Sequence, residues 1–472
     1  MSRGPEAGSR EDPKENAMQG RIGMGRRVER SALRRIAAVA LSAALVGGEA
    51  GAQLSTDFCG CEGSPNSLGD FHTNVPESWP EGTVNVGSSC SPNLRIPLPE
   101  DGVFVFDSFT VQNTTHTGCG NVSATVSFLP NAANTPVTLL VRGDVFIDGG
   151  DVLSVNGFGG SGGTSGSHGV GGSGGPGGFA GGDGAYQLSN LAADGGSGIG
   201  PGGGAGGTGN PRERSQGGVF FGVPGLRPLV GGSGGGGGHS ASAASGCAGG
   251  GGGGGGGALL LAANGTVTVN GTISANGGGA GNRNGSGCSS NGSGGSGGAI
   301  RILASVLTGS GSITAVGGGG GGGFGGMDNG SAGGPGRIRL EAITNTFAVN
   351  GTNPVAVRAP APGPLVSPIT PTVSIVAIDG QATPLNPIGH RGLIDLVVPS
   401  PGPIQIDLES TDVPAGTDLE VTVRPKVGRP PIQDRVTLSP GACSGGVCQA
   451  AIVFDLDPGA YIVEARATFE AP

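Results

Sequence analysis

The chain has 472 residues, of which 106 are glycine, with 4% aromatic, 12% charged and a formal net charge of -9. Glycine disfavours helix by about 1 kcal/mol per residue, which excludes a helical protein, and an acidic chain lacks the basic footprint of a nucleic-acid binder. One Trp and two Tyr argue against a large aromatic ligand groove.

Residues 1–52 carry nine Lys/Arg and six acids. Arg26-Arg27 and Arg34-Arg35 precede the apolar run 36–46 (IAAVALSAALV), and Ala50-Gly51-Ala52 follows it. Positive, apolar and small-residue regions in that order make a secretory signal, with cleavage expected between Ala52 and Gln53. Met18 and Met24 are alternative starts for the same signal. The run is shorter than the ~20 residues needed to span a bilayer. The mature chain is therefore expected outside the cytoplasm, in the periplasm, at the cell surface or beyond it, with no transmembrane segment.

Export implies an oxidising compartment, and the cysteines number eight. No paired C-x-x-C favours zinc, so disulfides are expected. Cys59, Cys61, Cys90 and Cys119 would tie an N-terminal cap over 53–101. Cys247 and Cys288 sit in separate glycine tracts and would staple them, and Cys443 and Cys448 would close one hairpin loop.

Between 102 and 359 the apolar segments repeat. Residues 139–157 (LLVRGDVFIDGGDVLSVNG), 258–277 (ALLLAANGTVTVNGTISANG), 299–317 (AIRILASVLTGSGSITAVG) and 338–359 (IRLEAITNTFAVNGTNPVAVRA) each split into three short alternating runs. Period-two alternation marks half-buried strands. Three strands per unit of roughly 20 residues predict one turn of a β-solenoid, a short parallel β-helix whose turns bury each other's faces. Val267 and Val269 align with Val145 and Ile147, and Ile273 and Ala275 with Val152 and Val155. An antiparallel sandwich with hairpins at Asn264-Gly265 and Asn270-Gly271 is the competing reading.

Three glycine-rich excursions, 157–257, 277–298 and 317–336, leave these turns. They either stay loose or hydrogen-bond backbone to backbone. From Gly157 to Gly184 every third residue is glycine, the period of a three-residue-per-turn extended helix. Polyglycine II helices packed side by side would keep that glycine face for close contact.

Residues 360–371 are a proline-rich linker. Beyond it, 372–472 alternate strongly and predict an immunoglobulin-like β-sandwich, with strand candidates at 373–378, 393–398, 404–408, 419–423, 450–454 and 461–469. The stretch DPGAYIV at 457–463 resembles the late-strand corner of immunoglobulin- and fibronectin-type domains. That resemblance implies a Tyr461 hydroxyl bonded back to backbone.

The search for chemistry returns little. The lysines are Lys14 and Lys426, and neither fits a phosphate-binding loop. Gly159-Gly160-Ser161-Gly162-Gly163 fits a nucleophile-elbow pattern but has no helix to follow it. Asp144, Asp148 and Asp151 cluster at strand ends, where they could hold Ca2+ or serve as turn residues bonding nearby backbone. Arg301, Arg337 and Arg339 lie on solenoid strands with Glu341 as almost the sole acid beside them, a poor match to a lyase. The five histidines are scattered. No catalytic residue is assigned.

The stretch AANTPVTLLVRGDVFIDGGDVLSVNG at 132–157, with the return GGALLLAANGTVTVNGTISANGGG at 256–279, resembles a group of glycine-rich exported bacterial proteins. The resemblance implies a parallel β-helix and no catalytic residue. The expectation is an exported, non-enzymatic structural or adhesive protein of the cell surface or extracellular matrix, meeting polysaccharide or envelope proteins. A polysaccharide lyase or hydrolase on the same fold, and an ice-binding protein, are the alternatives.

Overall fold

The computed structural model describes residues 57–88, 91–113, 123–186, 192–241, 246–285, 287–322, 329–366, 371–384, 387–398, 402–426 and 431–469. The expected secretory signal with its expected cleavage position at Ala52 and Gln53, and Cys90 and Cys119, lie outside these residues.

The described chain is nearly all β, and its first part is built from two mostly parallel sheets. Nine strands form one sheet: Asp70–His72, Val103–Phe106, Ser108–Val111, Val137–Val141, Val145–Ile147, Ala258–Val269, Ala299–Thr308, Arg337–Asn345 and Val357–Ala359. Seven form the other: Val84–Asn85, Asn93–Pro97, Thr125–Leu129, Val152–Ser154, Thr272–Ser274, Ser312–Thr314 and Thr352–Asn353. Like stacks on like. Leu259 pairs with Val137 on one side and Ile300 on the other, and Ile300 with Ile338. Val267 and Val269 pair with Val145 and Ile147. In the second sheet Ile273 pairs with Leu153, one place from the Val152 read in sequence, and Val152 pairs with Thr272, while the Ser274–Ser154 pair keeps Ala275 level with Val155 as aligned. Leu153 is the inward residue there, and Val152 points outward.

Alternation explains the core. Leu259, Leu261, Ile300, Ile302, Ile338 and Leu340 from the first sheet meet Ile96, Val126, Leu153, Ile273 and Ile313 from the second in one buried cluster. Each such side chain contributes about 1.5–3 kcal/mol on burial. Phe71 stacks on Phe109 at 4.5 Å between ring centroids near the start of the stack. Residue 102 is no edge of this assembly, because Asp70–His72 and Asn93–Pro97 already pair in parallel with Ser108–Val111 and Thr125–Leu129.

The glycine tracts are ordered by backbone hydrogen bonds. Among the described residues, twelve extended segments (155–163, 169–175, 178–185, 194–199, 202–207, 215–219, 231–239, 249–257, 276–283, 290–298, 315–322 and 330–336) lie side by side. The run of nine glycines at 249–257 shows the rule. The N–H groups of Gly249, Gly252 and Gly255 donate to Ala185, Gly182 and Phe179. Those of Gly250, Gly253 and Gly256 donate to Ser290, Ser293 and Ser296, and those of Gly251, Gly254 and Gly257 to Ser161, Phe158 and Val155. Three residues per turn send successive donors in three directions. Its carbonyls accept from three further segments: from Gly169, Gly172 and Gly175, from Gly232, Gly235 and Gly238, and from Gly278 and Gly281. This segment thus has six neighbours, at N···O distances of 2.7–3.1 Å. Segments 231–239 and 290–298 are enclosed in the same way.

The period of three in the first tract now has a cause. A Cβ on Gly157, Gly160, Gly181 or Gly184 would overlap carbonyls of 249–257. The polar side chains inside the enclosed segments find partners: Ser296 Oγ accepts the Ser233 N–H at 2.9 Å and Ser290 Oγ accepts the His239 N–H at 2.8 Å. The core of this bundle is therefore backbone, kept tolerable because its buried donors and acceptors are paired.

Residues 363–365 are held to the stack by a buried ion pair. Arg301 Nε lies 2.8 Å from Glu341 Oε1, and Arg339 Nε donates to the same oxygen at 2.6 Å. Glu341 Oε2 accepts the Gly363 N–H at 2.7 Å, while Arg301 donates to the carbonyls of Pro364 and Leu365.

Beyond the linker the strands are antiparallel. A five-stranded sheet (Thr372–Ile378, Gln381–Ala382, Gly402–Thr411, Cys443–Ser444, Val447–Leu456) and a three-stranded sheet (Asp418–Pro425, Ile432–Thr437, Tyr461–Ala467) share one core around Ile406, Leu408, Val421, Val423 and Phe454. The strand expected at 393–398 is absent from the described residues. Asp395 there accepts the N–H groups of Ile388 and Gly389 at 2.6 and 2.7 Å, closing a turn. Ile432–Thr437 was not expected, since its mostly exposed side chains give no alternation. This part lies against the glycine bundle: Ala180 N–H donates to His390 O, Gly200 N–H to Glu464 Oε1 at 2.6 Å, and Lys426 pairs with Asp183 at 3.4 Å.

Candidate functional site

The hydrogen-bond register gives each glycine segment a direction. Segments 155–163, 178–185, 202–207, 231–239, 276–283 and 315–322 run away from the strands, and the other six run back. The described residues between these segments, 164–168, 186, 192–193, 208–214, 240–241, 246–248, 284–285, 287–289 and 329, therefore gather at the far end of the bundle. Residues 187–191, 242–245, 286 and 323–328 lie outside the described residues. Here glycine gives way to side chains with chemistry. Thr164, Ser165, Ser167, Asn210, Arg212, Glu213 and Arg214 are exposed.

The connections brace one another. Tyr186 Oη donates to Ser165 O at 3.1 Å. Ala248 bridges to both Tyr186 and Asn284, and Ser240 to both Ala193 and Ser289. Arg283 Nη1 donates to Ser289 O, and His239 Nδ1 lies 3.1 Å from Glu213 O. A small antiparallel ladder, Thr208–Gly209 with Arg212–Glu213, holds the most charged connection. Cys247 and Cys288 form a bridge with Cα atoms 5.7 Å apart, joining two connections.

The residues singled out in sequence fall elsewhere. Asp144 Oδ1 accepts the Thr266 N–H at 2.6 Å, and Asp148 accepts from Gly149 N–H and Gln112 Nε2. Asp151, buried, accepts the N–H groups of Ala124 and Asn113 at 2.6 and 3.0 Å. Burial pushes its carboxyl above the usual range, against those two bonds and with help from the Asp148 charge. These carboxylates tie adjacent strands and their connections together. The group of possible metal ligands among the described residues is instead Asp57, Cys59 and Cys61. Cys59 bridges Cys61, Cys443 bridges Cys448, and Tyr461 Oη donates to Asp457 O at 2.7 Å. Arg301, Arg339 and Glu341 form the linker anchor.

Sequence reading left the far-end surface unassembled. Its signal was present as islands of Ser, Thr, Asn, Tyr and Arg interrupting the glycine tracts, but only the alternating directions bring those islands to one place. Comparison with protein-family models, curated proteins and solved structures returns no match. No helix among the described residues is long and apolar enough to cross a membrane, and the bridged cysteines suit an exported protein.

Proposed function

We propose that this is an exported, non-enzymatic binding or adhesive protein that meets its partner through the far end of the glycine bundle. The strands form a short parallel β-solenoid, the glycine tracts a polyglycine II bundle, and the C-terminal part an immunoglobulin-like sandwich that braces the bundle's flank. The partner is a polysaccharide or an envelope protein, in keeping with the resemblance to glycine-rich exported bacterial proteins. The observation that carries this reading is the convergence of the described connections, two of which (164–168 and 208–214) present exposed polar side chains and the second exposed charges, on one end of a lattice whose interior tolerates almost no side chains. A lattice of paired backbone holds such loops on a rigid support, which lowers the ordering cost of binding.

The test uses beads coated with the full chain, applied to purified envelope polysaccharide and, separately, to envelope protein. The triple variant Arg212→Ser, Glu213→Ser, Arg214→Ser changes exposed side chains only. The expected result is a fall of at least about tenfold in retention, some 1.4 kcal/mol, with an unchanged unfolding midpoint. Unchanged retention at unchanged stability would refute the far end as the contact surface. Mature protein found only in the cytoplasm would refute export.

A further inference from the structure

The seam between the C-terminal part and the glycine bundle holds an imidazole with one unmet ring nitrogen. The short helical turn Gly389–Arg391, capped by Asp395, meets two bundle segments there. Ala180 N–H donates to His390 O at 3.0 Å, and Ala180 O accepts the Ile199 N–H at 2.9 Å. Gly392 follows in the left-handed region at φ +71°. A Cβ on it would lie 3.8 Å from Ile199 Cδ1 and 3.7 Å from Lys426 Cε, so the turn, the bundle and the end of strand Asp418–Pro425 meet at this point. Arg391 Nη2 donates to the carbonyls of Pro130 and Asn131 on the other side.

The ring of His390 is tied on one side. Its Nδ1 lies 3.0 Å from Pro387 O, and a carbonyl only accepts, so Nδ1 carries the proton and Nε2 the lone pair. Nε2 is buried and has no hydrogen-bond partner. Protonation would put a second N–H and the ring's positive charge at that unmet position, which costs more than a bare lone pair. The charges nearby do not remove this cost. Arg391 and Asp395 flank the ring on its own turn with opposite signs. Along the seam Lys426 is paired with Asp183 at 3.4 Å, Glu464 with Arg424 at 2.7 Å, and Arg466 lies over the Phe221 ring. Burial holds the imidazole below its ordinary range, against the Pro387 bond, with Arg391 assisting and Asp395 opposing.

We infer that His390 is a pH sensor that sets how tightly the C-terminal part sits on the glycine bundle. With the ring neutral the seam is closed. A proton on Nε2 is accommodated where that nitrogen reaches water, so protonation favours a state in which the turn lifts from the bundle. Lifting releases the Ala180 N–H and uncovers the flank of 178–185 and 194–199. The linkage has one sign. A ring whose value is depressed in the closed state binds its proton better in the open one. Closure is therefore complete above the ordinary histidine value of about 6.5, and is lost progressively as pH falls from there through the depressed value.

Hydrogen exchange of the full chain, corrected for the pH dependence of chemical exchange, tests this at about pH 7.5 and about pH 5.5, either side of the ordinary histidine value. Protection of peptides over 178–185 and 194–200 is expected to fall at least about threefold at the lower pH, while peptides over 249–257 and 419–423 keep theirs. His390→Gln retains a side-chain N–H for Pro387 O and takes up no proton, so its protection should be the same at both pH values. In the wild-type chain the ring's own NMR titration should have its midpoint below the ordinary histidine value and should track the loss of protection, a readout that needs no variant. Wild-type protection that ignores pH, an equal pH response in His390→Gln, a loss shared by 249–257 and 419–423, or a ring midpoint at or above the ordinary value would each overturn the sensor.

Discussion

Gly252 and Gly319 are the same residue under different obligations. A Cβ on Gly252 would meet the backbone of Gly235, whereas one on Gly319 has nothing within 4 Å. Gly252→Ala should cost about 1–3 kcal/mol through overpacking, and Gly319→Ala should stay within about 0.5 kcal/mol of wild type. Urea unfolding compares them directly, and equal losses would contradict the enclosed segment at 249–257. Glu341 makes a second residue-scale case. Burial pushes its carboxyl upward, but hydrogen bonds from Arg301, Arg339 and the Gly363 N–H, with the Arg301 charge, together hold it below the usual range. A depressed folded value means the unfolded chain binds more protons near pH 4. This stability is present above the ordinary carboxylate value and is lost as pH falls through the depressed one. Unfolding measured from pH 6 to pH 3 should show that loss. Glu341→Gln should remove that part of the acid dependence and cost about 3–5 kcal/mol, since Arg301 stays buried without its counter-charge. Asp151, with its raised value, contributes in the opposite sense: its share is present at low pH and fades as pH rises through that value.

Between elements, the Cys247–Cys288 bridge spans 41 residues of sequence. Chain entropy gives such a closure about 4 kcal/mol. Cys247→Ser with Cys288→Ser should lower the denaturant midpoint by up to that amount, more than the equivalent change at Cys443 and Cys448, whose separation is 5. A larger loss from the shorter loop would contradict this ranking. Much of the element layout was legible in sequence. The alternation around Val145, Ile147, Val267 and Val269 marked strands that pair in parallel, because inward residues must be apolar at every second place. The strict spacing from Gly157 to Gly184 was legible because those segments show one face to the enclosed run. The enclosed run itself was not, since nine consecutive glycines carry no phase. Ile432–Thr437 escaped because QDR faces solvent, and 393–398 misled because its apolar residues border an Asp395-capped turn. The far-end surface needs register and direction together, and neither is written in any one of its loops.

Across the whole molecule, protection should follow enclosure rather than side-chain hydrophobicity. Segments 231–239, 249–257 and 290–298 have neighbours on every side. Their amides should exchange far more slowly than those of perimeter segments such as 155–163 and 315–322, in the manner of core strands that open only with large-scale unfolding. Hydrogen exchange read by mass spectrometry on peptides from 249–257 checks this, and exchange as fast as at 208–214 would contradict the lattice. The C-terminal part contributes to the same hierarchy, because contacts through His390, Glu464 and Lys426 cover the flank of 178–185 and 194–199.

The three-direction bonding of 249–257 gives the chain something like a reading frame. Loss of a single glycine there would turn every later donor by about 120°, so that 254–257 addressed the wrong neighbours and the strand after them began out of phase. Loss of three would shorten the segment by about 9 Å and leave each remaining donor facing its partner. Insertions and deletions in multiples of three are therefore tolerable within a segment, and any length is tolerable in a far-end connection. Such a scaffold lets its contact surface diversify quickly while the lattice beneath admits change only in triplets.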